Sequence, residues 1–200
     1  NGNNITVLNG SGIYIDYLYD IGYEMEQNAS LVIGNLTFIG NTINATSYGI
    51  YTYWEYIAYN MNSDMKGNSS FTMGDVYVQD NSIMAGSDGL YIYYYDYEVG
   101  YDINSNASVR LPQYIITNNV IDVDGYGIYF YCYETPYSIY DNATIDFGGF
   151  LIDTNIISCS YGLYLYIDYM PYYTYGWATF LFHDIIITNN VISNCTSDAL

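Results

Sequence analysis

The chain has 200 residues, with 2 Lys plus Arg set against 21 Asp plus Glu and a formal charge of −19. That balance excludes nucleic-acid binding and adhesion to an anionic membrane surface, because both need clustered cations. Ile, Leu, Val and Phe supply 53 residues and Tyr another 30, more buriable surface than a disordered chain carries. No apolar run approaches the ~18 residues of a spanning helix, so no membrane insertion is expected of this segment. The chain begins at Asn1 with neither an initiator Met nor a signal peptide, which predicts a mature form or a piece of something longer. Cys132, Cys159 and Cys195 are too few and too scattered for a disulfide framework.

In chain order, the first element is a short strand from Asn4, followed by Gly12-Ile13-Tyr14, a Tyr-rich stretch, and Asn28-Ala29-Ser30. Short apolar pieces, Leu31 to Ile33 and Leu36 to Phe38, then flank Gly34, and Asn41-Thr42-Ile43 opens the next unit. The same order returns four times. Gly-aliphatic-Tyr recurs at 49, 89, 127 and 162, and Asn-x-Ile recurs at 81, 119, 155 and 190. The second anchor recurs as Asn68-Ser69-Ser70, Asn106-Ala107-Ser108, Asn142-Ala143-Thr144 and, substituted, Trp177-Ala178-Thr179. It precedes the Asn of Asn-x-Ile by 13 residues in all five copies, and the Gly follows that Asn by seven or eight, so nearly all the change in length lies in the Tyr-rich stretch. Repeats thus begin near residues 4, 41, 81, 119, 155 and 190, and Ala199-Leu200 starts a sixth Gly-aliphatic-Tyr block.

Within each unit the hydrophobic period is 2, as in Leu90-Tyr91-Ile92-Tyr93, and Gly, Asn and Asp punctuate the runs. No helix of ten or more residues with caps is predicted. Aligning the units gives apolar columns: Ile13, Ile50, Leu90, Ile128, Leu163 and Leu200; Leu31, Phe71, Val109, Ile145 and Phe180; Phe38, Val78, Ile116, Ile152 and Ile187. Such columns arise when one coil of chain lies on the next with equivalent side chains ~4.8 Å apart. The predicted fold is all-β, one domain over residues 1–200, a right-handed parallel β-helix of about five 35–40-residue coils without end caps. An antiparallel sandwich would also alternate, but would not tie apolar columns to one register.

Asn41, Asn81, Asn119, Asn155 and Asn190 read as a structural ladder, since Asn tolerates a left-handed corner and its amide bonds the amide of the next coil. Asn-x-Ser/Thr occurs at Asn4, Asn9, Asn28, Asn35, Asn44, Asn68, Asn106, Asn142 and Asn194, nine sites where composition alone predicts about three. Four of them, Asn28, Asn68, Asn106 and Asn142, form one column. The small residue after each is in phase with the core, which turns the Asn outward. N-glycosylation is expected at the nine sequons and foremost along this column, with crowded neighbours leaving occupancy incomplete or sugars splayed, and with Trp177 against the sugar on Asn142. The competing reading is that Asn, Ser and Thr are simply common turn residues.

The columns Tyr14/51/91/129/164 and Tyr53/93/131/166 read as packing, with the Tyr-rich excursions (Tyr94 to Tyr97, Tyr169 to Tyr173) folding back over them as a second layer. A sugar-binding surface is the alternative. Catalysis has little support: the only cations are Lys66 and Arg110, and acids such as Asp75, Asp96, Asp122, Asp124, Asp146, Asp153 and Asp184 show no outstanding cluster. His183 falls in a turn slot held elsewhere by Gly34, Gly74, Pro112 and Gly148, and reads as a turn residue rather than a general base. No metal or cofactor is expected. Ca²⁺ on the acids is an alternative, although no Gly-Gly-x-Gly-x-Asp nonapeptide is present. Cys159 and Cys195 fall at nearly one place in successive coils, as stacked small core residues or as one disulfide across rungs.

The Asn-x-Ile, Tyr-Gly-Ile-Tyr and Asn-Ala-Ser blocks, in a chain rich in Asn, Tyr and Ile, resemble the parallel β-helix repeats of very long adhesin-like surface proteins of archaea, particularly methanogens. The coil is also similar to that of pectate lyases and related polysaccharide-degrading enzymes. The first resemblance implies an extracellular, cell-surface setting in which the sequons are usable, and transfers no catalytic residues. The function expected is that of a glycosylated structural protein of a surface fibre or adhesin. The alternatives are a secreted polysaccharide-degrading enzyme and a carbohydrate-binding module. Its expected partners are glycans and further coils, from a longer chain or from subunits stacked end to end, because neither Asn1 to Asn4 nor Ser197 to Leu200 supplies a cap.

Overall fold

A computed structural model describes residues 2–18, 20–61, 67–95 and 99–197. Lys66, Asp96, Tyr97, Ala199 and Leu200 lie outside the described residues. Among the described residues there are strands joined by turns, bends and irregular segments with no helix, and every strand pair is parallel. The chain is a β-solenoid of about 5 turns with about 38 residues per turn. No helix among the described residues is long and apolar enough to cross a membrane.

Each coil visits four sheets in turn. The ladder sheet holds Asn4–Val7, Thr42–Ala45, Ser82–Ala85, Val120–Val123, Ile156–Ser158 and Val191–Ser193. The tyrosine sheet holds Ile13–Leu18, Ile50–Trp54, Leu90–Tyr94, Tyr126–Tyr133 and Tyr161–Asp168. After the excursion come the anchor sheet (Ser30–Ile33, Ser70–Met73, Ser108–Leu111, Thr144–Phe147, Thr179–Phe182) and a fourth sheet (Leu36–Ile39, Val76–Gln79, Tyr114–Thr117, Phe150–Asp153, Ile185–Thr188).

The register is the one the columns require: Phe71 pairs with Val109 and Val109 with Ile145, and Val78 pairs with Ile116 and Ile116 with Ile152. In the middle coils these side chains are fully buried, so successive coils make one continuous core that no single coil could bury. At its centre the buried Tyr94 and Tyr114 hydroxyls lie 2.8 Å apart, each giving the other a polar partner. Burial pushes both phenols well above their usual range.

The excursions depart from expectation. Rather than folding back as a second layer, they lengthen the coil: Ile57, Met61, Val99, Ile103 and Ile139 are buried with the core. Ile103 bridges Ile139, and Ser138–Ile139 pairs with Tyr173–Thr174 as a short fifth sheet. The apolar residues of these stretches must be desolvated, and continuing the stack does this better than lying on a row of phenols.

The sharp corner before the ladder sheet also differs in detail. The left-handed residue is the one preceding each ladder Asn, at Gly40, Asp80, Asn118, Thr154 and Asn189, with φ between 55° and 66°. The ladder Asn is thereby free to turn its amide along the stack. The first rung is Asn3, which bonds Asn41, whereas Asn4 pairs with Thr42 on the strand and faces outward.

Candidate functional site: the outer faces of the coils

The two classes of asparagine separate by burial. Asn41, Asn81, Asn119 and Asn155 are between 0% and 3% exposed, and Asn190 is half-buried. Each ladder Oδ1 accepts both the backbone N–H and the Nδ2–H of the preceding rung at 2.9–3.2 Å, from Asn3 through Asn190. The second Nδ2–H of Asn81, Asn119, Asn155 and Asn190 is donated to the carbonyl of Phe38, Val78, Ile116 and Ile152 respectively. Every polar atom of an interior rung is used, which leaves none to bind a ligand.

All nine sequon asparagines are exposed: Asn4, Asn9, Asn28, Asn35, Asn44, Asn68, Asn106, Asn142 and Asn194. Among the ten other described asparagines only Asn3, Asn118 and Asn189 are exposed. In the anchor column Ala107, Ala143 and Ser69 point into the core, and the preceding Asn therefore points out. The column is close-packed: Asn28 Oδ1 accepts the Asn68 N–H at 3.0 Å, and Asn142 Nδ2 donates to Asn106 Oδ1 at 3.3 Å. Trp177 occupies the same place in the next coil and is 86% exposed.

The tyrosines form stacks along the solenoid axis. Tyr14, Tyr51, Tyr91, Tyr129 and Tyr164 have ring centroids 4.6–5.0 Å apart and interplanar angles of 2–13°. Tyr53, Tyr93, Tyr131 and Tyr166 stack at 4.8–5.5 Å. A third column, Tyr23, Tyr59, Tyr101, Tyr137 and Tyr172, stacks at 4.7–5.2 Å on the excursions. A ring that packs on a sugar must offer a face, and within these columns the faces are turned to neighbouring rings. Burial, with the phenols of Tyr51 and Tyr48 and then Asp88 adding to it, pushes Tyr91 up to about 12.

The acids are less scattered in space than in sequence. Asp75, Arg110, Asp146, His183 and Asp184 meet at the corner between the anchor and fourth sheets of consecutive coils. Arg110 donates to Asp75 at 2.8 Å and to the Met73 carbonyl at 2.9 Å, and His183 Nε2 lies 2.7 Å from Asp146 Oδ1. A cleft of about 220 Å³ is lined by Arg110, Gln113, Asp146, Gly148, His183 and Asp184. His183 keeps its turn slot while gaining a carboxylate partner. Asp122 and Asp124 line a separate open groove with Asn44, Thr46 and Met84. Asp153 accepts from Thr154, Thr188 and Asn189, and these hydrogen bonds hold its carboxyl below the usual range. Among the described residues no three His, Cys, Asp or Glu side chains converge as a metal site. Cys159 and Cys195 are free thiols 3.8 Å apart, and burial pushes Cys159 up to about 11.

Asp88 is a buried acid that the pattern of repeats did not single out. It replaces the Tyr found at 48, 126 and 161, and its Oδ1 accepts the Tyr126 N–H at 2.7 Å. Burial raises its pKa, and the Tyr126 hydrogen bond opposes the shift. The folded state therefore holds this proton more tightly than the unfolded chain does. That contribution is complete below the unfolded carboxylate range and is lost as pH rises through the raised folded value. Asp88→Asn keeps the acceptor and removes the charge. It is expected to raise Tm at pH 7 and to leave Tm unchanged at pH 3, and a variant no more stable than the parent at pH 7 would contradict this.

The chain matches no family model, no curated protein sequence and no solved structure.

Proposed function

We propose that this protein is an N-glycosylated structural β-solenoid of an extracellular surface fibre or adhesin. One observation carries the reading: every sequon asparagine is exposed, while Asn41, Asn81, Asn119 and Asn155 of the ladder are buried and Asn190 is half-buried. The ordered tyrosine and asparagine columns use their binding groups on one another, which suits a scaffold better than a receptor. Further coils of the same kind, from a longer chain or from another copy, are its natural partners. The setting is the cell surface, where glycosylation and a charge of −19 both favour solubility.

The test is the intact mass of native protein before and after peptide-N-glycosidase. Loss of several glycan masses is expected, and an unmodified polypeptide mass would overturn the proposal. A second reading, polysaccharide hydrolysis, is favoured by one observation, the shared cleft of Asp146 and Asp184. It requires release of reducing ends from a polysaccharide panel that Asp184→Asn abolishes.

A further inference from the structure

We infer that Trp177, with Asp141, Asn142, Asn106 and Ser105, forms a cleft that takes a pyranose ring. The cleft is about 400 Å³, within the ~300–1,000 Å³ of small-molecule sites, and these five residues line it. All but Trp177 belong to the two preceding coils, so the floor of the cleft is complete without any coil added beyond the last. Trp177 contributes a large apolar surface beside a carboxylate and two carboxamides. The combination suits a sugar: the C–H face of a pyranose packs on an indole, and its hydroxyls donate to a carboxylate or exchange hydrogen bonds with amides. It is the opposite of the tyrosine columns, whose faces are covered by one another.

The backbone fixes the platform. Gly176 takes, at φ +70°, the left-handed slot that Ser105 and Asp141 take at 60° and 57° in the preceding coils, and a Cβ there would lie 3.0 Å from the Asp141 Cα, so the two coils are in close contact at this point. Trp177 is thereby held next to Asn142, in the column where the other coils carry sequon asparagines. Two sources can supply the pyranose: the glycan on Asn142, an arm that rests on the glycosylation reading, or a free saccharide, which does not depend on it.

The chain reports on itself, because its two tryptophans differ sharply: Trp54 is 1% exposed and Trp177 86%. Acrylamide quenching of the accessible emission therefore reads Trp177 alone. In native protein carrying a glycan on Asn142, the quenching constant is expected to be about threefold below that of Asn142→Gln produced in the same host. In protein made without glycans, N,N′-diacetylchitobiose is expected to shift the Trp177 emission saturably, and Asp141→Asn, which tolerates the left-handed turn, to weaken that response at least tenfold. Either shielding by the native glycan or the saturable response supports the cleft, and the arm that responds identifies the source. If Asn142 proves unmodified, glycosylation at that site fails while the chitobiose titration still decides the cleft. If Asn142 is glycosylated, Trp177 quenches equally with and without its glycan and chitobiose has no effect, the inference is overturned and glycosylation stands.

Discussion

Asn119→Ala is expected to lower the unfolding free energy by about 4 kcal/mol, from the ~1–3 kcal/mol of each buried polar group left unpaired. The substitution deprives the Asn81 backbone N–H and Nδ2–H of their acceptor at 3.0 and 2.9 Å, and the Val78 carbonyl of its donor at 2.8 Å. All of these sit in the dry interior, where water cannot replace the lost partner. Asn119→Asp separates hydrogen bonding from packing. Its Oδ1 still accepts from Asn81, but the second oxygen faces the oxygens of Val78 and Asn155 that Nδ2 now serves. Destabilisation at pH 7 with partial recovery on acidification is therefore expected by denaturant unfolding. A cost below about 1 kcal/mol for the alanine variant would show that stacking alone holds the corner.

Gly89→Ala is expected to cost about 3 kcal/mol, at the upper end of the usual overpacking penalty. No unusual backbone angle requires glycine here. The requirement is space: a Cβ would lie 2.5 Å from the Gly127 carbonyl oxygen and 2.5 Å from Ile121 Cγ2. The carbonyl belongs to the next coil, so relief means separating two rungs, and the ladder bonds beside them resist that. Thermal unfolding of Gly89→Ala beside Gly34→Ala, where a Cβ meets nothing within 4 Å, gives the comparison. Equal Tm values for the two variants would contradict the close-approach account.

Much of the fold is legible in the sequence because stacking converts equal spacing into contact. A 13-residue interval kept in five copies fixes which residues of successive coils pair, and Leu31, Phe71, Val109, Ile145 and Phe180 do so. The outward phase of Asn28, Asn68, Asn106 and Asn142 follows from the small residue after each. The features that stay hidden have physical causes. The third tyrosine column lies five residues before the anchor at 23, 101, 137 and 172 but nine before it at 59, and this insertion conceals its register. The Asp75–Arg110 and Asp146–His183 corner joins residues of different type, so no repeat motif marks it, although Asp75, Gln113 and Asp184 all fall six before a ladder Asn. Pattern alone puts the left-handed corner one residue late, because Asn is suited both to that conformation and to the ladder. Only the hydrogen bonds of Asn41, Asn81 and Asn119 show which role each takes.

Site-resolved glycopeptide mapping of native material tests the central claim most directly. Deglycosylation in heavy-oxygen water marks each formerly glycosylated Asn as a labelled Asp, so the nine sequons can be read one by one. The account predicts label at Asn28, Asn68, Asn106 and Asn142, partial where neighbours ~4.8 Å apart compete for room. Absence of label from all four of these exposed positions would contradict it.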